Sequence, residues 1–214
     1  MILWVVERVL AARHIGRAIV ATDDRRIIDA ARSAGYEAVM TRVDHVSGSD
    51  RLAEVAASLE DVQIIVNVQG DEPLIAPDTI DRAIEALLDD EDCLIATTWE
   101  PLESAADVLN PDLVKVVLDE NEQALYFSRA PVPFPRDAVQ KHGDLAAALA
   151  NEPLLLAEFR KHTGLYVYRR SALLEFTTWP QSSLERVEAL EQLRALAHGV
   201  KIKVIRASTP SIGV

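Results

Sequence analysis

A single cysteine, Cys93, stands in 214 residues. No internal disulfide can form, and no Cys or His pair falls at ligand spacing, which removes a zinc motif. A reducing, cytoplasmic compartment fits that usage. Long apolar runs are also missing: no stretch reaches about eighteen residues, the length a membrane span needs. The N-terminus lacks the basic-then-apolar order of a signal peptide, so the expectation is a soluble protein with no membrane partner. Basic excess is absent too. Lys and Arg number 22 against 34 Asp and Glu, a formal charge of −12, and no local basic patch offsets it, so nucleic acid is not an expected partner. Neither GxxxxGK[ST] nor GxGxxG occurs, which leaves a Walker-type kinase or a dinucleotide-dependent dehydrogenase without support.

What is present is a core-forming chain, 49% hydrophobic, long enough for one substantial α/β domain over 1–214. Apolar periodicity predicts a helix from about Leu3 to Ala12, a strand AIVAT, a helix DRRIIDAARSAG stopped by Gly35, and a strand EAVMT. Helix DRLAEVAASL, strand QIIVNVQ, a helix from about Pro77 and strand CLIATTW follow. Strand and helix alternate with short connections, which implies a mainly parallel sheet covered by helices. From about Leu113 the pattern changes to LVKVVLDENEQALYFSR, an antiparallel hairpin around DENE with a Pro-rich exit. The segment 113–170 is read as including a dimerisation arm, with packing on its own domain as the other reading. HTGLYVYRR is a further strand, SLERVEALEQLRALAHG a helical stretch and KIKVIRA a closing strand.

Ligands of such sheets bind beyond the carboxyl ends of strands. Three polar clusters lie there: Asp23 with Asp24, the loop RVDHVSGSDR, and QGDEP at 69–73. Asp71 leaves a buried strand and suits a magnesium ion that also contacts phosphates, or else it belongs to a solvated turn. Gln69 offers a donor and an acceptor beside it, and Gly70 lets a ligand approach the backbone. Glu72 shapes the turn with Pro73. Ser47, Gly48 and Ser49 precede a helix whose first N–H groups suit an anion or nucleotide, with Arg51 in the first turn; a plain Ser cap is the alternative. His162 and Tyr166 share a strand face. Glu188 and Gln192, one helical turn apart, are placed to grip hydroxyls, whereas Glu185, Glu191 and Arg194 read as a solvated face with weak ion pairs. Arg129 is an exposed-strand charge or an anion clamp.

Taken in order, ATDD, MTRVDHVSGSDRLAEV, VNVQGDEPLI, KVVLDENEQALYFSRAPVP, HTGLYVYRR and LERVEALEQLRALAHG strongly resemble the 3-deoxy-manno-octulosonate cytidylyltransferases, the CMP-Kdo synthetases. VNVQGDEP and LEQLRAL with HTG upstream are specific to that family, whereas ATDD is shared with many nucleotidyltransferases. The resemblance implies a three-layer Rossmann-like nucleotide-diphospho-sugar transferase fold. It implies a reaction in which the anomeric hydroxyl of Kdo attacks the α-phosphate of CTP and expels pyrophosphate, for lipopolysaccharide assembly. Magnesium on Asp71 is the implied cofactor, and the hairpin arm makes a homodimer the expected assembly. By the same resemblance Gln69, His162, Tyr166, Glu188 and Gln192 line the sugar site, with Arg129 near the substrate carboxylate. Asp23, Ser47, Gly48, Ser49 and Arg51 lie against the nucleotide. A synthetase for sialic or other nonulosonic acids is the neighbouring enzyme reading, and a nucleotide-binding protein without turnover the non-enzymatic one.

Both ends look cut. Family members begin with a strand and an Arg/Lys/Gly-rich phosphate loop, whereas MILWVVERV matches the helix after it. They continue past IGV with an Asp-Thr pair that supplies a second magnesium ligand, whereas this chain stops at Val214. Without both segments a chain inert in turnover is expected, and loss of the first strand is expected to leave backbone groups unpaired and apolar surface exposed.

Overall fold

A computed structural model describes residues 1–210; the last four residues of the TPSIGV end lie outside it. In chain order the elements are α1 (Ile2–Leu10), β1 (Ile19–Thr22), α2 (Arg25–Ser33), β2 (Glu37–Met40), α3 (Gly48–Ala57), β3 (Ile64–Asn67), α4 (Pro77–Leu88), β4 (Ile95–Pro101) and α5 (Ala105–Leu109). They continue with β5 (Lys115–Leu118), β6 (Ala124–Ser128), α6 (Arg136–His142), α7 (Leu145–Asn151), a 3₁₀ turn (Pro153–Glu158), β7 (Arg160–Arg169), α8 (Arg170–Phe176), α9 (Ser183–Glu188), α10 (Gln192–Ala197) and β8 (Ile202–Arg206). The chain divides into two compact units, one of Met1–Ala96, Gly164–Trp179 and the stretch from Ser208, the other of Thr97–Thr163 and Pro180–Ala207.

In the first unit β1 and β2 pair in parallel, Ile19 opposite Glu37 and Thr22 opposite Met40, as the alternation of strand and helix requires. Val6, Val20, Ile28, Ala31 and Ala38 form the core beneath α1 and α2. Each large aliphatic side chain so buried contributes roughly 1.5–3 kcal/mol. Helix ends follow local chemistry. Asp24 caps α2 by accepting from the Arg26 amide at 2.8 Å, and Gly35 closes it at φ +84°, where only glycine sits without a Cβ penalty. The turn after α1 is tied to α4, because buried Asp81 accepts the amides of Arg13 and His14 at 3.1 and 3.0 Å. Burial opposes ionisation of Asp81, yet those hydrogen bonds and the Arg13 guanidinium hold its carboxyl below the usual range. β3 pairs antiparallel with the second half of β7, Ile64 opposite Arg169 and Asn67 opposite Tyr166. Among the described residues β1 pairs only with β2, and β3 only with β7.

In the second unit the strands run in the order β6-β5-β7-β4-β8. β5 and β6 form the expected antiparallel hairpin, with Glu122 at φ +59° in the DENE turn. Its tip returns to its own unit: Gln123 bridges Lys203, and the Val204 amide donates to the Glu122 carbonyl at 2.8 Å. Leu102, Val108, Leu149 and Phe159 form the core under α5 and α7. One expectation is corrected. SLERVEALEQLRALAHG is not a continuous helix: α9 ends at Glu188, Ala189 turns left-handed at φ 52° and ψ 49°, and α10 begins at Gln192. Glu188 and Gln192 therefore do not share a helix face.

Candidate active site

The nucleotide-side candidates meet in the first unit. Asp23 leaves β1 and Thr41 leaves β2, with the Thr41 amide bonded to the Thr22 carbonyl at 3.0 Å. Arg51, in the first turn of α3, spans both: its guanidinium donates to Asp23 Oδ2 at 3.1 Å and to the Thr41 hydroxyl. Two strand ends and a helix start are thus joined by one side chain, the C-terminal sheet edge at which the sequence put these residues. Ser47 is the N-cap of α3. Its hydroxyl accepts from the Asp50 amide at 3.2 Å and donates to the Asp50 carboxylate at 3.0 Å. Ser49 is buried, while a Cβ at Gly48 would meet nothing within 4 Å, so close packing is not what favours glycine there. The loop before Ser47 is stapled to the helix by Glu54, which accepts from the Arg42 amide at 3.2 Å and pairs with the buried His45 imidazole. Those contacts hold the Glu54 carboxyl below its usual range, the His45 hydrogen bond first.

Gln69 and Asp71 follow β3 in the same unit. The Glu72 amide donates to the Gln69 carbonyl at 3.3 Å, and the Ile75 amide to the Glu72 carbonyl at 3.2 Å. This compact turn leaves Asp71 exposed. Among the described residues no three His, Cys, Asp or Glu side chains gather as a cation cage. Magnesium requires less, since one or two carboxylates with water and phosphate oxygens complete its octahedron, so an exposed Asp71 carboxylate fits as a single protein ligand. Tyr166 stacks on Tyr168 with ring centroids 5.7 Å apart.

The remaining candidates lie in the second unit. His162 Nε2 is 2.9 Å from the Thr97 hydroxyl, and Phe127 meets the imidazole edge-on at 4.9 Å. Burial lowers its pKa to about 3, so it works as a neutral hydrogen-bonding ring. Glu188 differs from the expectation of a free hydroxyl-gripping carboxylate. Its oxygens accept from Tyr126 Oη at 3.2 Å, Ser128 Oγ at 2.8 Å and the Arg129 amide at 2.9 Å. Burial opposes its ionisation, but these donors keep the carboxyl below its usual range. Arg129 is neither a free strand charge nor an open clamp, because its guanidinium donates to the carbonyls of Glu188, Pro111 and Ala189 at 2.8, 3.0 and 3.4 Å.

The solvated face expected of Glu185 and Arg194 is corrected as well. Both are buried, and Arg194 Nε donates to Glu185 Oε2 at 2.8 Å with a second contact between Nη2 and Oε1. Glu185 also closes a capping box with Ser182. That pair braces the break between α9 and α10, at whose far side Gln192 is buried.

Two residues here escaped the sequence reading. Lys115 is fully buried and donates to the carbonyls of Asn110 and Leu113 at 2.8 and 2.6 Å. Burial pulls its ammonium below the usual range, assisted by Arg129 and opposed by Glu188. Thr97 orients His162. A lysine in an alternating strand carries no local sign of burial; a threonine pair at the end of an apolar strand is a weak one.

Comparison with known proteins places this arrangement. The cytidylyltransferase family model matches residues 1–202. The 3-deoxy-manno-octulosonate cytidylyltransferase of Trichlorobacter lovleyi is 50% identical over 214 residues, covering 100% of this chain and 82% of its own length. That of Solibacter usitatus is 45% identical, covering 100% and 79%. Among solved structures, CMP:2-keto-3-deoxy-manno-octonic acid synthetase complexed with CTP superposes with TM-score 0.87 at 38% identity, over 100% of this chain and 81% of that one. 4-Diphosphocytidyl-2C-methyl-D-erythritol synthase of Anaerococcus prevotii, at 11% identity and TM-score 0.59 over 99% and 78%, shares the fold alone. Sequence identity along the whole chain and a Rossmann-like nucleotidyltransferase fold agree, and the chain belongs to the 3-deoxy-manno-octulosonate cytidylyltransferase family.

Proposed function

We propose that this protein transfers CMP from CTP to Kdo in the cytoplasm, as a homodimer, in a step that feeds lipopolysaccharide assembly. The observation that carries the reading is 50% identity, over the whole of this chain, to a protein named for that reaction. The anomeric hydroxyl of Kdo gives up its proton and attacks the α-phosphate of CTP; a new P–O bond forms, the α–β bridge breaks, and pyrophosphate leaves with the displaced electron pair. No side-chain nucleophile is required, because in-line phosphoryl transfer rests on positioning and on neutralising charge.

Asp71 would hold magnesium, whose chemistry is to neutralise charge on the phosphate oxygens. Its exposure at the end of β3 and its hard oxygen donors support this role. The α3 N-terminus with Ser47, Gly48 and Ser49 would face the nucleotide, and Arg51, already anchored on Asp23, would hold that loop in place. Gln69, Tyr166, His162 and Gln192 are each assigned to the acid sugar, His162 as a neutral partner for a hydroxyl. Glu188 and Arg129 act as positioning residues, since their polar atoms are engaged by Tyr126, Ser128 and backbone carbonyls. Pyrophosphate release from CTP and magnesium with Kdo, set beside a sialic acid, tests the reading: release dependent on Kdo supports it, and preference for the sialic acid sinks it.

A further inference from the structure

Gly164 lies in the HTG stretch of β7, where a glycine within a strand weakens it and signals close approach of another group. The approaching group is Gln69. Continuing the β3–β7 register two residues beyond the Asn67–Tyr166 pair sets Gln69 opposite Gly164, on the face that carries Tyr166 and Tyr168. A Cβ built on Gly164 would fall 2.6 Å from Gln69 Nε2 and 2.9 Å from its Cδ, with Glu72 Oε1 at 3.3 Å. The Gln69 amide therefore lies on the bare backbone of Gly164. Backbone conformation is not the reason for glycine: Gly35, Gly143 and Gly199 have positive φ, and Gly164 does not. The required feature is the missing side chain.

We propose that Gly164 is a positioning residue of the acid-sugar subsite, its lack of a side chain seating the Gln69 amide at a fixed place and angle on β7. This rests on the assignment of Gln69 to the sugar. The atoms that would clash belong to the far end of a flexible side chain, so a methyl group at 164 displaces the amide and leaves the strand where it is. Gly164 thereby sets how Gln69 presents its donor and acceptor, and any larger residue misdirects both.

The experiment compares wild type, Gly164→Ala, Gln69→Ala and the double variant, by steady-state kinetics and by the side-chain amide NMR signals of Gln69. In Gly164→Ala the Gln69 amide signals shift and KM for Kdo rises about tenfold, the scale of one lost hydrogen bond, while KM for CTP stays. In the Gln69→Ala background the Gly164→Ala change adds nothing further, a coupling that a purely structural role would not produce. Should Gly164→Ala fold poorly, the double variant folds, because removal of the Gln69 side chain removes the clash. Unmoved Gln69 signals in Gly164→Ala, or additive effects in the double variant, overturn the proposal. Wild-type KM for Kdo in Gln69→Ala overturns the sugar assignment and this proposal with it; wild-type KM in Gly164→Ala beside a raised value in Gln69→Ala overturns the proposal alone.

Discussion

Arg194 and Glu185 form a buried two-pronged ion pair across the break between α9 and α10, with the Nε–Oε2 prong at 2.8 Å. Removing one member of such a pair leaves a charge in the interior without its partner, which costs about 3–5 kcal/mol. Arg194→Met is expected to lower stability by that amount, measured as the urea midpoint, whereas Arg25→Met on the exposed face of α2 stays within about 0.5 kcal/mol of wild type. Equal midpoints for the two variants would mean that the pair does not brace the break.

His162 gives stability a pH dependence of known sign. Its folded pKa, about 3, lies below the unfolded value of about 6.5, so the unfolded chain takes up the proton first. The contribution is fully present above the unfolded pKa and is lost as pH falls from there toward the folded one. Carboxylates titrate over part of this range, so the test is the difference between wild type and His162→Gln. Stability of wild type should drop more steeply between pH 7 and pH 5 than that of the variant; parallel curves would show that the ring is not held neutral.

Arg129 donates to three backbone carbonyls from one planar fork, a geometry that a lysine ammonium does not reproduce. Arg129→Lys should therefore cost about 1.5–3 kcal/mol, the range of hydrogen bonds to a charged group, in spite of the conserved charge. Amide exchange should quicken around Ala189, whose carbonyl the guanidinium holds. Unchanged melting with unchanged exchange would contradict the bracing role.

These predictions concern contacts that the sequence reading largely missed, and the reason is physical. The alternation of strands and helices, the Asp24 and Ser47 caps, the Gly35 stop and the DENE hairpin are local, so composition and period revealed them. The break after Glu188 is not local. SLERVEALEQLRALAHG has helix-favouring residues throughout the region of the break and no glycine there, and it is Arg129, some sixty positions away, that captures the carbonyls a continuous helix would use. For the same reason Glu185 and Arg194, nine positions apart, read as separate surface charges. The polar clusters at the sheet edge were legible because parallel strands of such sheets present polar loops at their carboxyl ends, and Arg51 and Asp23 from two of those clusters are in contact. Gly164 left a trace in the strand pattern, but its neighbour Gln69 could be found only from the antiparallel register.

Asp71 is exposed and stands outside the packed core, so Asp71→Asn should fold as wild type does. If it holds magnesium as proposed, its loss should lower the rate of CMP transfer about a hundredfold or more, on the scale of removing one preorganised charge-stabilising group, and should raise the magnesium concentration needed for half-maximal rate. Wild-type rates at wild-type magnesium would remove Asp71 from the site.

Passage of CMP from CTP to Kdo on this chain is read out by pyrophosphate release. With CTP, magnesium and Kdo the predicted result is release in step with CMP-Kdo formation, absent when Kdo is omitted and far slower when a sialic acid replaces it. Release that ignores Kdo, preference for the sialic acid, or a folded chain that binds CTP yet transfers nothing to Kdo would show that this chain does not make CMP-Kdo.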